Sequence, residues 1–283
     1  MRTVIITGAN SGLGFETAKK IAHNKNYQVI LACRNLEKAE AAKDEIVKET
    51  GNENVQVLKL DTSSLESVRD LVAEFKKLNL KLYGLINNAG ISPMGHDGLS
   101  VDGVEIVCAT NYLGHFLLTN LLLPFTEDNA KIYSVTSDMH NPPRGLEWTD
   151  PELLFHPTEN DHRKYSYSKL CQIYFTYGLD EILRKDGSHI LVNAFNPGMM
   201  ETNFSGGHNS KARTAMVKMM MPERVGDLDK SSTALAELMT NDDFRDSGKY
   251  YDRSTSYIDS SELSYNKENR KDLWTKSAKE AGL

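Results

Sequence analysis

The chain has 283 residues, 40% of them hydrophobic, and a formal net charge of −6 at pH 7. That length and apolar content suffice for one full α/β core, while the negative balance and lack of a clustered Lys/Arg run exclude a general nucleic-acid binder. Cys33, Cys108 and Cys171 are odd in number, with neither metal-type C-x-x-C spacing nor a disulfide framework, so a reducing compartment and small-molecule partners are expected.

The apolar run Val4-Ile5-Ile6 reads as a first strand, and Thr7-Gly8-Ala9-Asn10-Ser11-Gly12-Leu13-Gly14 follows it into a helical pattern over residues 15–22. Strand, glycine turn and helix start form a phosphate site, because unpaired N–H groups and the positive helix end meet a backbone without Cβ atoms. The glycine order, Gly-x-x-x-Gly-x-Gly, departs from the usual dinucleotide spacing, and alone it also fits a structural turn. Strands are expected over 27–32, 55–60, 82–86, 130–135 and 190–195, with helices over 36–50, 65–78, 104–123 and 161–184 between them. Six strands alternating with helices predict a doubly wound parallel sheet with right-handed crossovers and ligands at the strands' carboxyl ends. Residues 138–164 break that rhythm with Asn141, Pro142, Pro143 and Gly145.

Residues 203–229 show no clear period and carry Gly206-Gly207 and Met216, Met219, Met220 and Met221. They read as a lid over the site, with the methionines either core filler or an adaptable cover for an apolar substrate. A helix over 231–240, an edge strand over 248–251 and a polar helix over 266–279 close the pattern. With a strand at the start and no run of about 18 apolar residues, neither a signal peptide nor an integral membrane segment is expected, and the chain is expected to be cytoplasmic.

Tyr165 and Lys169 stand four apart on a predicted helix, one turn above each other. A free phenol titrates near ~10, and a neighbouring ammonium draws that value toward neutrality, making a proton donor. Tyr167 is a competing phenol. A hydroxyl partner is expected at a strand end, where Ser137 lies with Ser134 and Thr136 as rivals, and Asn111 is a polar amide in an apolar helix that wants a partner. His115, four residues after Asn111, reads as a packed or interface residue. His140, His156, His162 and His208 fall in the irregular segments, and no spacing supports a metal site.

Thr7-Gly8-x-x-x-Gly12-x-Gly14, Asn87-Asn88-Ala89-Gly90, Asn111, Ser137, Tyr165-x-x-x-Lys169 and Asn196-Pro197-Gly198 occur in the order of the short-chain dehydrogenase/reductase family, which the chain resembles over most of its length. The resemblance implies a Rossmann-type single domain of about seven strands with helices on both faces. It also implies a nicotinamide dinucleotide on the glycine loop (Gly8, Asn10, Ser11, Gly12, Leu13, Gly14) and a catalytic tetrad of Asn111, Ser137, Tyr165 and Lys169. Tyr165 would protonate a carbonyl oxygen, Ser137 would position it, Lys169 would lower the tyrosine's pKa and hold the ribose, and Asn111 would anchor a water-linked proton path. Asp61 with Thr62 would meet the adenine edge, Asn88, Ala89 and Gly90 would line the cofactor, and Pro197, Gly198 and Thr202 would fix the carboxamide.

Cys33-Arg34-Asn35 closes the second strand without an acid, and Arg34 with Lys38 makes a fork for a 2′-phosphate, so NADP(H) is expected. Ala32-Cys33-Arg34, Asn111-x-x-Gly114-His115-Phe116, the long gap from Ser137 to Tyr165 and Gly248-Lys249-Tyr250 resemble the retinol dehydrogenase and protochlorophyllide reductase branch. Met199 stands where the light-driven pigment enzymes carry a cysteine. The expected activity is therefore reduction or oxidation of a fairly bulky apolar ketone, aldehyde or alcohol. A non-catalytic NADP(H)-binding regulatory module is the alternative. The family's habit suggests a homodimer or homotetramer built on helices 104–123 and 162–184, whose apolar faces exceed what one sheet face needs.

Overall fold

The computed structural model describes residues 1–159, 161–200, 215 and 217–283; Thr202 and residues 203–214 of the expected lid lie outside it. Its elements run β1 (Arg2–Thr7), α1 (Gly12–Ala22), β2 (Tyr27–Cys33), α2 (Leu36–Thr50), β3 (Val55–Lys59), α3 (Leu65–Lys77) and β4 (Leu82–Asn87). After these come α4 (Ile106–Phe125), β5 (Thr126–Val135), the short α5 (Pro151–Phe155), α6 (Lys164–Lys185) and β6 (Leu191–Asn196). The last part contains α7 (Leu228–Thr240), β7 (Tyr250–Asp252), β8 (Tyr257–Ile258) and α8 (Lys267–Ala281).

The strands form one sheet in the order β3-β2-β1-β4-β5-β6-β7-β8, parallel through β7. The reversal between β1 and β4 is the topological switch of a doubly wound sheet. The eighth strand departs from the expected seven: β8 pairs antiparallel to β7, so the strand expected at the edge has a neighbour beyond it. Both faces are covered, which is why the strands read as continuous apolar runs. Along β1 the side chains alternate between two cores. Val4 and Ile6 pack with α1, α2 and α7, whereas Ile5 packs with α3, α4, α6 and α8.

One expectation about α4 changes. It is long and apolar enough by length and composition to cross a membrane, contrary to the expected absence of such a stretch, yet 72% of its most apolar window is buried inside the protein. Its polar residues are tied into the fold: Asn120 caps the Phe116 carbonyl, and the Asn87 amide donates to Thr119. It is thus the central core helix of one sheet face. Part of the apolar surface of α4 and α6 packs against α8. Trp274 stacks on Phe175 at 5.7 Å and meets Phe116 edge-on at 5.1 Å, and the Tyr112 hydroxyl bonds Ser277 at 2.8 Å.

Residues 138–164, expected to be loop, contain α5, which Asp150 caps by accepting from Glu152 N. Residues 217–220 are helical, and Met219 and Met220 are exposed, so these two methionines are not core filler.

Candidate active site

The strand ends gather the residues that the sequence singled out. The turn after β1 is built for close approach. Gly8 and Gly12 hold positive φ of 65° and 57°, and a Cβ on Gly14 would stand 2.5 Å from Asn88 Nδ2. Asn88 is itself pinned, its amide donating to the Thr7 carbonyl at 2.7 Å and its backbone N–H to Thr7 Oγ1 at 2.8 Å. Ala89 N also donates to Thr7 Oγ1. Ser11 begins α1 without a side-chain cap, and no acid stands in the first turn, so the opening N–H groups of α1 are offered without competition from the chain's own side chains. A glycine cradle backed by an uncapped helix start fits a pyrophosphate.

At the end of β2, burial pushes the Cys33 thiol up to about 11, opposed by hydrogen bonds from the backbone of Ala9 and Asn10. Arg34 follows with its side chain 70% exposed and 4.0 Å from Asp61. Asn35 caps α2 by accepting from Lys38 N, which sets Lys38 one turn beyond Arg34. Asp61 is turned inward by Ser63, whose N–H and hydroxyl both donate to Oδ1. Across the sheet, Asn196 Oδ1 accepts from Gly198 N at 3.0 Å and Ser231 donates to the Pro197 carbonyl, holding the Pro-Gly turn at φ +75°.

Asn111 sits where α4 loosens into a π turn over Ala109–Leu113. Such a bulge redirects a side chain out of the helix register. The amide uses it fully, accepting from Ile91 N at 2.8 Å and donating to Ile91 O and to Ser168 Oγ, both at 3.1 Å. Ser168 in turn donates to the Tyr165 carbonyl. Tyr165 is half-buried, and its ring centre lies 5.5 Å from Lys169 Nζ. Lys169 is buried and donates to the Val135 carbonyl and to Gln172 Oε1, both at 3.0 Å; burial lowers its pKa to about 7.

The rivals separate cleanly. Thr136 is buried and spends its hydroxyl on the Lys169 carbonyl, and Ser134 is buried within β5, whereas Ser137 is half-buried just past the strand. Ser137 Oγ donates to Asp138 Oδ1 and accepts from Met139 N. Tyr167 is buried on another side of α6, where it lines a cavity of about 370 Å³ with Lys164, Ser168 and Glu105; Tyr165 and Lys169 do not line it.

Two residues escaped the motif reading, and the partners of a third were not foreseen. Gln172 bridges Lys169 to the Asn111 carbonyl. Ser168 joins Asn111 to Tyr165. His115, expected to be packed, is buried, with Nδ1 3.1 Å from the Asn111 carbonyl and Nε2 2.9 Å from Thr7 Oγ1. A carbonyl only accepts, so Nδ1 carries the proton, and the neutral ring accepts from the Thr7 hydroxyl at Nε2. Burial holds its pKa down at about 4. The helical spacing of His115 and Gln172 was the available signal, though it did not say which backbone group each would meet.

His140 likewise ties Ser137 to the segment after β8, with Nδ1 2.7 Å from the Ser137 carbonyl and Nε2 accepting from Ser261 N at 3.0 Å. His156 pairs with Glu280 at 3.1 Å. With Glu152 they bring three possible metal-ligand atoms within 4.8 Å of one another, joining α5 to α8 away from the tetrad.

The model for the family described as short chain dehydrogenase matches residues 2–145. Human polyprenol dehydrogenase is 31% identical, over 100% of this chain and 86% of its own length. Retinol dehydrogenase 13 of Mus musculus is 35% identical over 100% and 84%. The chloroplastic short-chain dehydrogenase TIC 32 A of Brassica napus is 33% identical over 88% and 79%. Among solved structures, one from Mycobacterium paratuberculosis superposes with a TM-score of 0.74 at 30% identity, covering 100% of this chain and 94% of that one. The Pseudomonas aeruginosa RhlG/NADP complex superposes with a TM-score of 0.70 at 20% identity over 89% and 94%, a likeness of fold.

Proposed function

The chain belongs to the short-chain dehydrogenase family, and from that premise we propose that it is an NADP(H)-dependent oxidoreductase acting on a bulky apolar ketone, aldehyde or alcohol. The observation that carries the reading is a half-buried phenol one turn from a buried lysine that is itself held by the Val135 carbonyl at the end of β5, two residues before the half-buried Ser137. The cofactor, when bound, supplies or takes up the hydride. The turn from Gly8 to Gly14 with the start of α1 would hold its pyrophosphate, and Arg34 with Lys38 the 2′-phosphate. The NADP bound in the RhlG complex supports that choice, as does the absence of an acid at the end of β2.

In the reductive direction Tyr165 donates its phenolic proton to the carbonyl oxygen, and Ser137 holds that oxygen by a hydrogen bond. The Lys169 ammonium faces the Tyr165 ring and stabilises the phenolate that remains. Asn111 acts through position, fixing the loop at Ile91 and, through Ser168, the backbone of Tyr165. The names of the retinol and polyprenol relatives support a large apolar substrate. Three buried free thiols support a reducing compartment such as the cytoplasm. The cover of α8 over α4 and α6 supports a monomer in place of the dimer or tetramer expected from sequence.

The test is consumption of NADPH, with NADH in parallel, against carbonyls graded from small to polycyclic, in wild type and Tyr165→Phe. Turnover of apolar carbonyls with NADPH preferred, lost in the Phe variant, is the expected result. Binding of NADPH without turnover of any compound by either protein overturns the reading in favour of a regulatory module.

A further inference from the structure

Gln172 lies one turn beyond Lys169 on α6, fully enclosed, with both ends of its amide in use. Oε1 accepts from Lys169 Nζ at 3.0 Å, and Nε2 donates to the Asn111 carbonyl at 2.7 Å. The amide cannot be turned round, because that would face an N–H₂ group to an ammonium and an oxygen to a carbonyl. His115 Nδ1 donates to the same carbonyl from the other side at 3.1 Å.

We propose that Gln172 is a positioning residue for the reaction: its amide anchors the Lys169 ammonium beside Tyr165 and ties it to the Asn111 carbonyl. This rests on the oxidoreductase reading above. Among the described residues the buried Lys169 ammonium meets two acceptors, the Val135 carbonyl of β5 and Gln172 Oε1. The titratable groups facing it are Tyr165 from its own helix and neutral His115 from α4, and among the described residues no carboxylate acts on it. Loss of one of two acceptors therefore makes the ammonium harder to keep.

Nitrogen-15 NMR of the Lys169 ammonium in cofactor-free protein reads this directly. In wild type the midpoint lies near 7, as burial dictates. Gln172→Leu removes the acceptor and lowers the midpoint by about one unit. Gln172→Glu keeps the shape, adds a negative charge and raises it. The pH profile of kcat for carbonyl reduction follows, because the charged lysine is lost as pH rises through its pKa. Its alkaline limb moves to lower pH in the Leu variant and to higher pH in the Glu variant, with KM for NADPH changing less than kcat.

Midpoints that stay put, or that move the same way in both variants, overturn the proposal; should the Leu variant fail to fold, an unmoved midpoint in the Glu variant overturns it alone. Opposite shifts of the ammonium with no turnover even in wild type would leave Gln172's hold on Lys169 standing and sink the oxidoreductase reading. Unmoved profiles with Tyr165→Phe inactive would do the reverse.

Discussion

Replacing Arg34 with aspartate tests the cofactor assignment at the place where the geometry makes its clearest demand. In the free protein the Arg34 guanidinium is largely exposed and 4.0 Å from Asp61. Such a solvent-screened pair is worth about 0–1 kcal/mol, so the fold depends little on it and the melting temperature should barely change. Against a 2′-phosphate the same guanidinium makes charge-assisted hydrogen bonds worth about 1.5–3 kcal/mol, which is roughly a 10- to 150-fold weakening of NADPH when they are lost. Aspartate adds repulsion toward the phosphate and an acceptor for an unphosphorylated ribose, so KM for NADH should hold or fall. Initial rates with each cofactor, at low and high salt, give the answer, and the NADPH penalty should shrink as salt screens the phosphate contact. A KM for NADPH within about twofold of wild type would refute the reasoning, because it leaves only about 0.4 kcal/mol for the phosphate contact.

Trp274→Ala should cost about 2–4 kcal/mol by urea unfolding, since it removes the ring that stacks on Phe175 and caps Phe116, and it should bring concentration-dependent self-association by light scattering. A variant as stable as wild type and with the same scattering mass would mean that α8 is not the cover its packing implies. His115 predicts an acid instability. Its folded pKa of about 4 lies below the ordinary 6.5, so the unfolded chain binds the proton first, and stability falls as pH drops from 6.5 toward 4. The full swing is about 3 kcal/mol, and His115→Asn should flatten that slope in urea melts at pH values spanning the window; parallel slopes would rule the histidine out as the cause. Gly14→Ala should weaken NADPH binding at least about tenfold in a fluorescence titration, because the added methyl displaces an Asn88 amide already pinned to Thr7. Unchanged affinity would remove the cradle from the binding account.

The features legible in the sequence were those whose meaning is local. The glycine turn after β1, the four-residue step from Tyr165 to Lys169 and the hydroxyl just past β5 each carry their geometry in their spacing, and alternation of strand and helix carried the sheet. Residues whose meaning depends on a partner far along the chain were not legible. Gln172 is an ordinary polar residue on a helix until α6 crosses the π turn of α4, and Thr7 a plain strand end until His115 arrives from that turn. The last helix was readable as polar, but that Leu273 and Trp274 turn inward against α4 and α6 depends on how three helices cross. The two-residue β8 is too short to leave any periodic trace.

The arrangement of α8 also bears on how the protein comes into being. Translation delivers α4 and α6 well before the helix that shields them, so during synthesis Phe116 and Phe175 form a sticky aromatic strip on an otherwise assembled sheet face. Nascent chains are vulnerable in such an interval, when apolar surface is displayed without its final cover. The demand for chaperone protection should therefore end with the emergence of residues 267–281 from the ribosome. Lesions in that segment, far from any reacting atom, should reduce the amount of enzyme in a cell before they reduce the rate of any molecule that survives.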